Sequence, residues 1–210
     1  MPIVTAERIY SEGMIDQARS EYNFLALNVL FSQLQANKKY NILDMGPANG
    51  MNLDFFSNFR CKIFIEDLYQ SRQEYVDSIA GPGKTFNIVD VLLKYDSDVR
   101  FDVILFWDLF DYLEVEELKT LIKHISKFCS KGSMMFFITS GMDNIPQEPA
   151  VFRILDKQHL QYENHSPTNR RGHGYRQSMY KNLLPGFKLY RGFRMSTGME
   201  ENLFIYTGKS

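Results

Sequence analysis

An alternation of apolar runs and amphipathic stretches between residues 40 and 139 constrains the fold more than any other feature of the sequence. Helical spacing of apolar residues predicts helices at 51–59, 69–80 and 114–129. Apolar runs predict strands at 40–44, 61–67, 84–90, 101–108 and 133–139. Several of these strands are apolar on both faces, which is typical of a parallel sheet covered by helices on both sides. The predicted fold is therefore α/β, with a Rossmann-like, doubly wound sheet.

The segments outside this alternation complete the predicted architecture. Helical spacing of leucines predicts a helix at 12–36, within an N-terminal helical segment at 1–38. The stretches at 187–195 and 198–208 predict two paired strands at the C-terminus, and 177–184 a short helix. Residues 141–176 carry little periodicity, so we expect an irregular cover there. The expected organisation is one domain over residues 1–210, with an insertion or lid at 141–184.

Composition narrows the class of protein. Hydrophobic residues make up 44% of the chain and include 17 Phe, which is ample for a core. The formal net charge of -1 argues against a globally basic nucleic-acid binder. The two cysteines are far apart and read as free thiols, and neither a signal peptide nor an apolar membrane span is evident. We therefore expect a soluble, cytoplasmic protein.

The loop "LDMGPANG" at 43–50 follows the first strand and precedes a helix. Ligands of doubly wound sheets bind beyond the carboxyl ends of the strands. Gly46 and Gly50 allow the backbone to approach a ligand, and the helix N-terminus beyond them favours a carboxylate or phosphate. The alternative is a tight turn with no ligand. The pattern D-x-G-x-x-x-G differs from the G-x-G-x-x-G of a dinucleotide site.

Acidic residues at the ends of the next two strands add to this prediction. Glu66 and Asp67 end the second strand, where a carboxylate can accept hydrogen bonds from both hydroxyls of a ribose. They could equally be a solvated pair at a helix start. Asp90 ends the third strand, where it could accept from an adenine amine while Val91 donates its N–H to the ring. The alternative for Asp90 is a helix cap.

Residues 40–139 and 187–207 together resemble a class I S-adenosylmethionine-dependent methyltransferase. The motifs that carry the resemblance are "LDMGPANG", "IFIED", "FNIVDV", "FDVILFWDLFDYL" and the closing "GFKLYRGFRM…ENLFIY". "WDLFDYL" also resembles a group of bacterial methyltransferase-like proteins. The resemblance implies a seven-stranded, mostly parallel sheet with an antiparallel last strand. It also implies S-adenosylmethionine as cofactor and S-adenosylhomocysteine as product.

The resemblance further implies which residues contact the cofactor. The loop residues would hold the methionine end, Glu66 or Asp67 the ribose, Asp90 and Val91 the adenine, and the residues after strand four the methyl-donor pocket. The implied cofactor-binding residues are Asp44, Gly46, Pro47, Ala48, Asn49, Gly50, Glu66, Asp67, Asp90, Val91, Trp107 and Asp108. Ala48 stands where the family often has Gly, a small departure. Of the two acids, Glu66 is the preferred ribose ligand.

The insertion provides the candidate acceptor-binding residues. Residues 164–181 contain several basic residues and no acid. Such a patch could bind an anionic acceptor, a nucleic acid or a partner chain, or could be a solvated basic loop. The candidate residues are Tyr162, Arg170, Arg171, Tyr175 and Arg176.

The predicted function is transfer of a methyl group from S-adenosylmethionine to an unknown, possibly anionic acceptor. Candidates for a catalytic base are Asp108, Asp111, His159 and His173, and the sequence does not choose among them. The four histidines show no metal-binding spacing, so no metal is expected. One alternative is a non-catalytic cofactor-binding scaffold that binds a partner through the basic insertion. Another is a nicotinamide-dependent oxidoreductase, although the G-x-G-x-x-G motif is missing.

Overall fold

The computed structural model describes residues 20–78, 87–164 and 166–208. The strands are β1 (Ser20–Asn23), β2 (Tyr40–Asp44), β3 (Cys61–Ile65), β4 (Phe101–Trp107), β5 (Cys129–Thr139), β6 (Asn144–Pro146), β7 (Val151–Ile154), β8 (His159–Glu163), β9 (Asn169–Arg171), β10 (Phe187–Arg194) and β11 (Glu200–Tyr206). The helices are α1 (Leu25–Ser32), α2 (Gly50–Ser57), α3 (Leu68–Ser78), α4 (Val115–Ile125) and α5 (Gln177–Leu183). No helix in this described part of the chain is long and apolar enough to cross a membrane.

The central sheet has six strands in the order β10-β11-β5-β4-β2-β3. Strands β3, β2, β4 and β5 are parallel, whereas β11 runs antiparallel to both β5 and β10. The mixed, mostly parallel sheet with an antiparallel last strand is as predicted. The carboxyl ends of β2, β3 and β4 consequently meet at one edge of the sheet.

The predicted third strand at 84–90 is not confirmed within the described residues. Ile88–Val91 instead forms a turn of 3-10 helix. The Asn87 side chain accepts a hydrogen bond from the Val89 N–H at 3.1 Å, and this local bond competes with the pairing of a strand. Residues 84–86 lie outside the described part. The prediction of seven strands is therefore not confirmed, and the sheet in the described residues has six.

The sheet is apolar on both faces because both faces are covered. On β4, Ile104 and Phe106 belong to the core that packs against α4 and α5. Their neighbours Val103 and Leu105 belong to the core that includes α1 and α2. Side chains alternate between the faces of a strand, so a continuous apolar run is required where both faces are buried.

The N-terminal helix predicted at 12–36 is wrong over part of its length. Residues 20–23 form β1, which pairs antiparallel with β8, and the helix in the described chain is only Leu25–Ser32. Residues 12–19 lie outside the described part. The helical spacing of Leu27, Leu30 and Phe31 is real, and these residues are buried. The strand before them depends on a partner far along the chain, which periodicity does not reveal.

The insertion at 141–176 is more regular than predicted. Strands β1, β8 and β7 form a three-stranded antiparallel sheet, and β6 pairs with β9. The short strands escaped prediction because each has only three to five residues. The organisation into one domain with a lid at 141–184 stays a prediction.

The N-terminus of helix α1 is capped by a carboxylate from the opposite end of the chain. Its N-cap residue, Phe24, has no side chain that can accept a hydrogen bond. The buried carboxylate of Glu201 on β11 instead accepts from the N–H groups of Leu25 at 3.0 Å and Ala26 at 2.6 Å. These contacts satisfy two of the N–H groups that a helix start leaves unpaired, and they attach α1 to the sheet.

We expect Glu201→Ala to lower the free energy of unfolding by about 1–3 kcal/mol, because two buried N–H groups lose their acceptor. Urea denaturation measures this change. Glu200→Ala is the control, since the Glu200 side chain makes no such cap, and it should cost less than about 0.5 kcal/mol. Equal losses in the two variants would contradict the capping role.

Candidate functional site

The loop after β2 is organised by Asp44. Its Oδ1 atom accepts hydrogen bonds from the Trp107 indole Nε1 at 2.6 Å and from the Gly46 N–H at 3.0 Å. Burial raises the pKa of Asp44 to about 6, although these two donors favour the charged form. The bonds connect the end of β2 to the end of β4. Asp44 therefore has a structural role that the resemblance did not indicate.

Gly46 lies where a side chain has no room. A Cβ atom on this residue would be 2.8 Å from Trp107 Cδ1. Trp107 itself has a positive φ of 53°, an unusual conformation for a bulky residue. Its ring also stacks on Phe152 of β7, with centroids 5.4 Å apart and planes at 8°. The indole is thus held between the loop and the insertion, which maintains the strained backbone.

The start of α2 attaches the loop to the insertion. Asn49 is the N-cap residue, and its Oδ1 accepts from the Asn52 N–H at 2.9 Å. The side-chain NH₂ groups of Asn49 and Asn52 both donate to the Phe152 carbonyl at 3.2 Å. Asn52 Oδ1 accepts in turn from the Ile154 N–H at 2.8 Å. The Asn49 amide is therefore engaged in holding β7.

A cavity of about 510 Å³ opens at the carboxyl ends of β2, β3 and β4. We call it the donor cavity. Its walls come from the loops after these strands, from α3 and from the segment before β7. The lining residues are Met45, Gly46, Pro47, Asp67, Tyr69, Gln70, Gln73, Asp77, Trp107, Asp108, Leu109, Gln147, Glu148, Pro149, Ala150 and Val151. Five of the predicted cofactor-binding residues are among them, namely Gly46, Pro47, Asp67, Trp107 and Asp108.

The two acids after β3 lie in different environments. Glu66 is buried, and its carboxylate accepts from the Leu93 N–H at 3.0 Å and from the Tyr95 hydroxyl. Burial raises the pKa of Glu66 to about 7. Asp67 has a positive φ of 44° and lines the donor cavity. Of the two, only Asp67 is part of the wall of the cavity.

The remaining predicted cofactor residues do not line the donor cavity as described. Asp90 is exposed and lies with Val91 in the 3-10 turn, close to the segment 79–86 that is outside the described residues. The other residues absent from the lining are Asp44, Ala48, Asn49, Gly50 and Glu66.

Two parts of the wall of the donor cavity were not predicted from the sequence. Tyr69, Gln73 and Asp77 follow one another at intervals of four residues on α3, and this polar stripe could have been read from the sequence. The segment 147–151 has no local sequence pattern that indicates a position in the cavity wall. The Tyr69 hydroxyl donates to the Gln147 carbonyl at 3.3 Å, so these two parts meet across the cavity.

Asp108 lies between the donor cavity and a second, smaller one. Its Oδ2 accepts from the Ala150 N–H at 3.0 Å, whereas its Oδ1 is buried and has no hydrogen-bond partner among the described residues. Burial raises the pKa of Asp108 to about 7. Asp111 also lines the smaller cavity, but its Oδ2 accepts from the Ser140 N–H at 2.7 Å.

The predicted acceptor-binding residues do not converge on one site. Tyr175 belongs to the core, its hydroxyl donates to the Leu113 carbonyl at 2.8 Å, and it lines neither cavity. Arg170 and Arg171 line a separate outer depression, and Arg176 is exposed at the start of α5. Of the five candidate residues, Tyr162 is the one that lines the smaller cavity.

The basic patch itself is less positive than the sequence indicates. The outer depression that contains Arg170 and Arg171 is also lined by Glu114 and Asp143, which come from other parts of the chain. A local run without acids predicts a basic surface only where folding brings no acid beside it.

Neither histidine candidate for a base lines either cavity. His159 Nδ1 lies 2.7 Å from Asp156 Oδ2. His173 stacks on Tyr175 and lies 3.8 Å from Glu114. Across residues 20–78, 87–164 and 166–208, no group of His, Cys, Asp and Glu is arranged to hold a metal ion.

Buried carboxyl groups should make the ligand-free protein more stable in mild acid than at neutral pH. Burial raises the pKa of Asp44 and Asp111 to about 6, and that of Glu66 and Asp108 to about 7. Between about pH 4 and pH 7 the folded state therefore binds more protons than the unfolded state, and the free energy of unfolding falls as the pH rises.

Urea denaturation at about pH 5 and about pH 7.5 measures this difference, and Asp108→Asn should make it smaller. Greater stability at the higher pH would contradict the prediction.

We expect Gly46→Ala to displace the Trp107 indole, because the new methyl group would overlap it. The Asp44–Trp107 hydrogen bond would weaken, and stability should fall by about 1–3 kcal/mol. Trp107 is the single tryptophan of the chain, so its fluorescence reports the displacement directly.

The matched control is Gly50→Ala, since a Cβ at Gly50 meets nothing within 4 Å. An unchanged emission spectrum in Gly46→Ala would show that the loop has more room than the structure indicates.

Comparison with known proteins identifies the family. A sequence profile of the family described as "Methyltransferase domain" matches residues 11–186. The structure is similar to that of the PH0226 protein from Pyrococcus horikoshii OT3, with a TM-score of 0.52 and 14% identity over 85% of this chain and 86% of that chain. No curated protein sequence matches significantly.

A second similar structure is an S-adenosylmethionine-dependent methyltransferase from Clostridium acetobutylicum ATCC 824, with a TM-score of 0.50 and 12% identity over 96% of this chain and 98% of that chain. At these identities, the two structures establish the fold alone. The sequence profile covers well over half of the chain and agrees with that fold. The chain therefore belongs to the methyltransferase-domain family and has the class I S-adenosylmethionine-dependent methyltransferase fold.

Proposed function

We propose that this protein is an active methyltransferase and that S-adenosylmethionine, the cofactor of its family, binds in the donor cavity. The observation that carries the proposal is the position of this cavity at the carboxyl ends of β2, β3 and β4, next to a glycine that has no room for a side chain. Ligand sites of this fold form at such an edge. A volume of about 510 Å³ suits a ligand the size of this cofactor.

The residues of the cavity fit the chemical parts of the cofactor. The backbone at Gly46 is open to a ligand and precedes the start of α2, which supports binding of the methionine carboxylate. Asp67 lines the cavity, which supports its assignment to the ribose hydroxyls in preference to Glu66. Both Glu66 oxygens already accept hydrogen bonds within the protein. The assignment of adenine to Asp90 and Val91 remains a prediction.

When bound, S-adenosylmethionine supplies a methyl group that is electrophilic because it is attached to a sulfonium. The protein must then align the acceptor and exclude water. Three contacts support this role for the segment 147–152: Tyr69 with Gln147, Asp108 with Ala150, and Trp107 with Phe152. Together they hold the insertion across one side of the donor cavity.

The alternative of a non-catalytic scaffold receives no support. It predicts a blocked or missing acceptor pocket beneath the insertion, whereas a second cavity of about 60 Å³ adjoins the donor cavity there. The nicotinamide alternative is disfavoured by the family and by the first loop, which lacks G-x-G-x-x-G. An anionic acceptor, a nucleic acid or a partner chain on the basic insertion would lie at the outer depression, away from the donor cavity.

Calorimetric titration with S-adenosylmethionine and S-adenosylhomocysteine tests the proposal, with NAD as the control ligand. We expect both sulfur compounds to bind and NAD not to bind. Asp67→Asn should weaken binding about 10- to 100-fold, because a charged hydrogen-bond acceptor for the ribose is lost. Asn also tolerates the positive φ of this position, so the backbone should be retained.

Glu66→Gln is the matched control and should change cofactor affinity less than Asp67→Asn does. A larger loss of affinity in Glu66→Gln would favour Glu66 as the ribose ligand. Absence of binding by both sulfur compounds would overturn the proposed function.

A further inference from the structure

The second cavity has a volume of about 60 Å³ and lies beneath the insertion. We call it the acceptor cavity. It is lined by Asp108, Asp111, Tyr112, Ile138, Ser140, Met142, Ile145, Pro146, Ala150, Phe152, Tyr162, Asn164 and Met199. Asp108 and Ala150 line the donor cavity as well, so the two cavities meet at these residues. A molecule in the acceptor cavity would therefore lie next to one in the donor cavity.

Most polar groups around the acceptor cavity are already engaged. The Asp111 carboxylate accepts from the Ser140 N–H at 2.7 Å. The Tyr112 hydroxyl donates to the Glu148 carbonyl at 2.9 Å, and the Asn164 amide donates to the same oxygen at 3.1 Å. These groups maintain the wall and are not available as anchors without breaking it.

Asp108 Oδ1 is different, because it is buried and no described residue forms a hydrogen bond with it. A buried carboxylate oxygen without a donor is costly, and such atoms call for an explanation. The other carboxylate oxygen is held by the Ala150 N–H, so the orientation of the group is set. Because Asp108 lines the acceptor cavity, a small shift of its side chain would bring this oxygen into contact with an N–H group there.

The charge of the cavity selects among possible ligands. Two carboxyl groups line it, those of Asp108 and Asp111, and none of the described residues in its wall is basic. An anion would meet these carboxyl groups without a compensating cation, whereas an amine would be attracted. Arg170 lies on the outside, over the Tyr112 ring at 5.9 Å, and lines the outer depression instead.

The remaining wall is apolar and small. It consists largely of aliphatic, sulfur-containing and aromatic side chains, including Ile138, Met142, Ile145, Phe152 and Met199. These side chains favour a hydrocarbon body. The cavity is smaller than one of about 150 Å³ that admits benzene, so the group that enters it has only a few non-hydrogen atoms.

We propose that the acceptor cavity binds the amino group and short hydrocarbon body of a small amine, with the nitrogen donating a hydrogen bond to Asp108 Oδ1. This assignment departs from the anionic acceptor that the basic insertion suggests. Its description as a methyl acceptor rests on the proposed function, whereas binding of an amine can be measured without the cofactor.

Fluorescence of Trp107 provides the test, because this single tryptophan lines the donor cavity and stacks on Phe152 of the acceptor cavity. The probes are ethylamine, ethanol and acetate, which have two carbon atoms each, differ in charge and are small enough for this cavity. Each is titrated into the ligand-free protein and into the protein with S-adenosylhomocysteine. We expect saturable binding of ethylamine, at least about 10-fold tighter than that of acetate.

Asp108→Asn should weaken ethylamine binding about 10-fold or more, because a charged acceptor is lost. Asp54→Asn is the control, since it removes the same charge from an exposed position that lines neither cavity. Met199→Phe is a second variant that fills the cavity without changing its charge, and it should also weaken ethylamine binding.

The outcomes separate the two proposals. Binding of S-adenosylhomocysteine without any preference for the amine would overturn the amine assignment and leave the proposed function standing. Equal affinity of Asp108→Asn and the unaltered protein for the amine would overturn the amine assignment as well. Amine binding that depends on Asp108, in a protein that does not bind S-adenosylhomocysteine, would support the amine site and overturn the proposed function.

Discussion

The hydrogen bond between Asp44 and Trp107 is the interaction on which the candidate site depends. It joins the ends of two neighbouring strands, β2 and β4, and positions an indole beside a glycine that cannot carry a side chain. The indole ring of Trp107 also stacks on the ring of Phe152 in the insertion. The backbone of Trp107 is strained, and it persists because both contacts hold it. The loop, the central sheet and the insertion thus act as one unit around the donor cavity.

Buried carboxyl groups are concentrated at this edge of the sheet, and they have separate tasks. Asp44 binds the indole, Glu66 binds the backbone after the 3-10 turn, and Asp111 binds the start of the insertion. Each is compensated by donors from distant parts of the chain. Asp108 is compensated on one oxygen only. The unpaired oxygen of Asp108 lowers the stability of the protein at the point where the two cavities meet. This is also the point at which the proposed reaction would require a reacting group.

Much of the fold could be predicted because its signals are local. The apolar run of β4 and the helical stripe of α4 depend only on neighbouring residues, and both were located correctly. Two failures have a common cause. Strand β1 exists because it pairs with β8, and Tyr175 is buried in the core with its hydroxyl bonded to the distant Leu113 carbonyl, so neither can be predicted from its own neighbours. Contacts between distant segments are the part of the structure that periodicity does not encode.

The order of apolar runs in the sequence determined the mostly parallel α/β sheet, and the motifs at the strand ends carried the resemblance to the family. Glycine and acids at those strand ends also predicted a ligand site beyond β2, β3 and β4. Only the tertiary structure decided which groups are available there. It engaged Glu66, left Asp67 in the cavity wall, moved Arg170 to the outside and left one Asp108 oxygen unpaired. The physical reason is that a side chain's availability depends on the donors and acceptors that folding brings to it, and most of these come from distant positions in the chain.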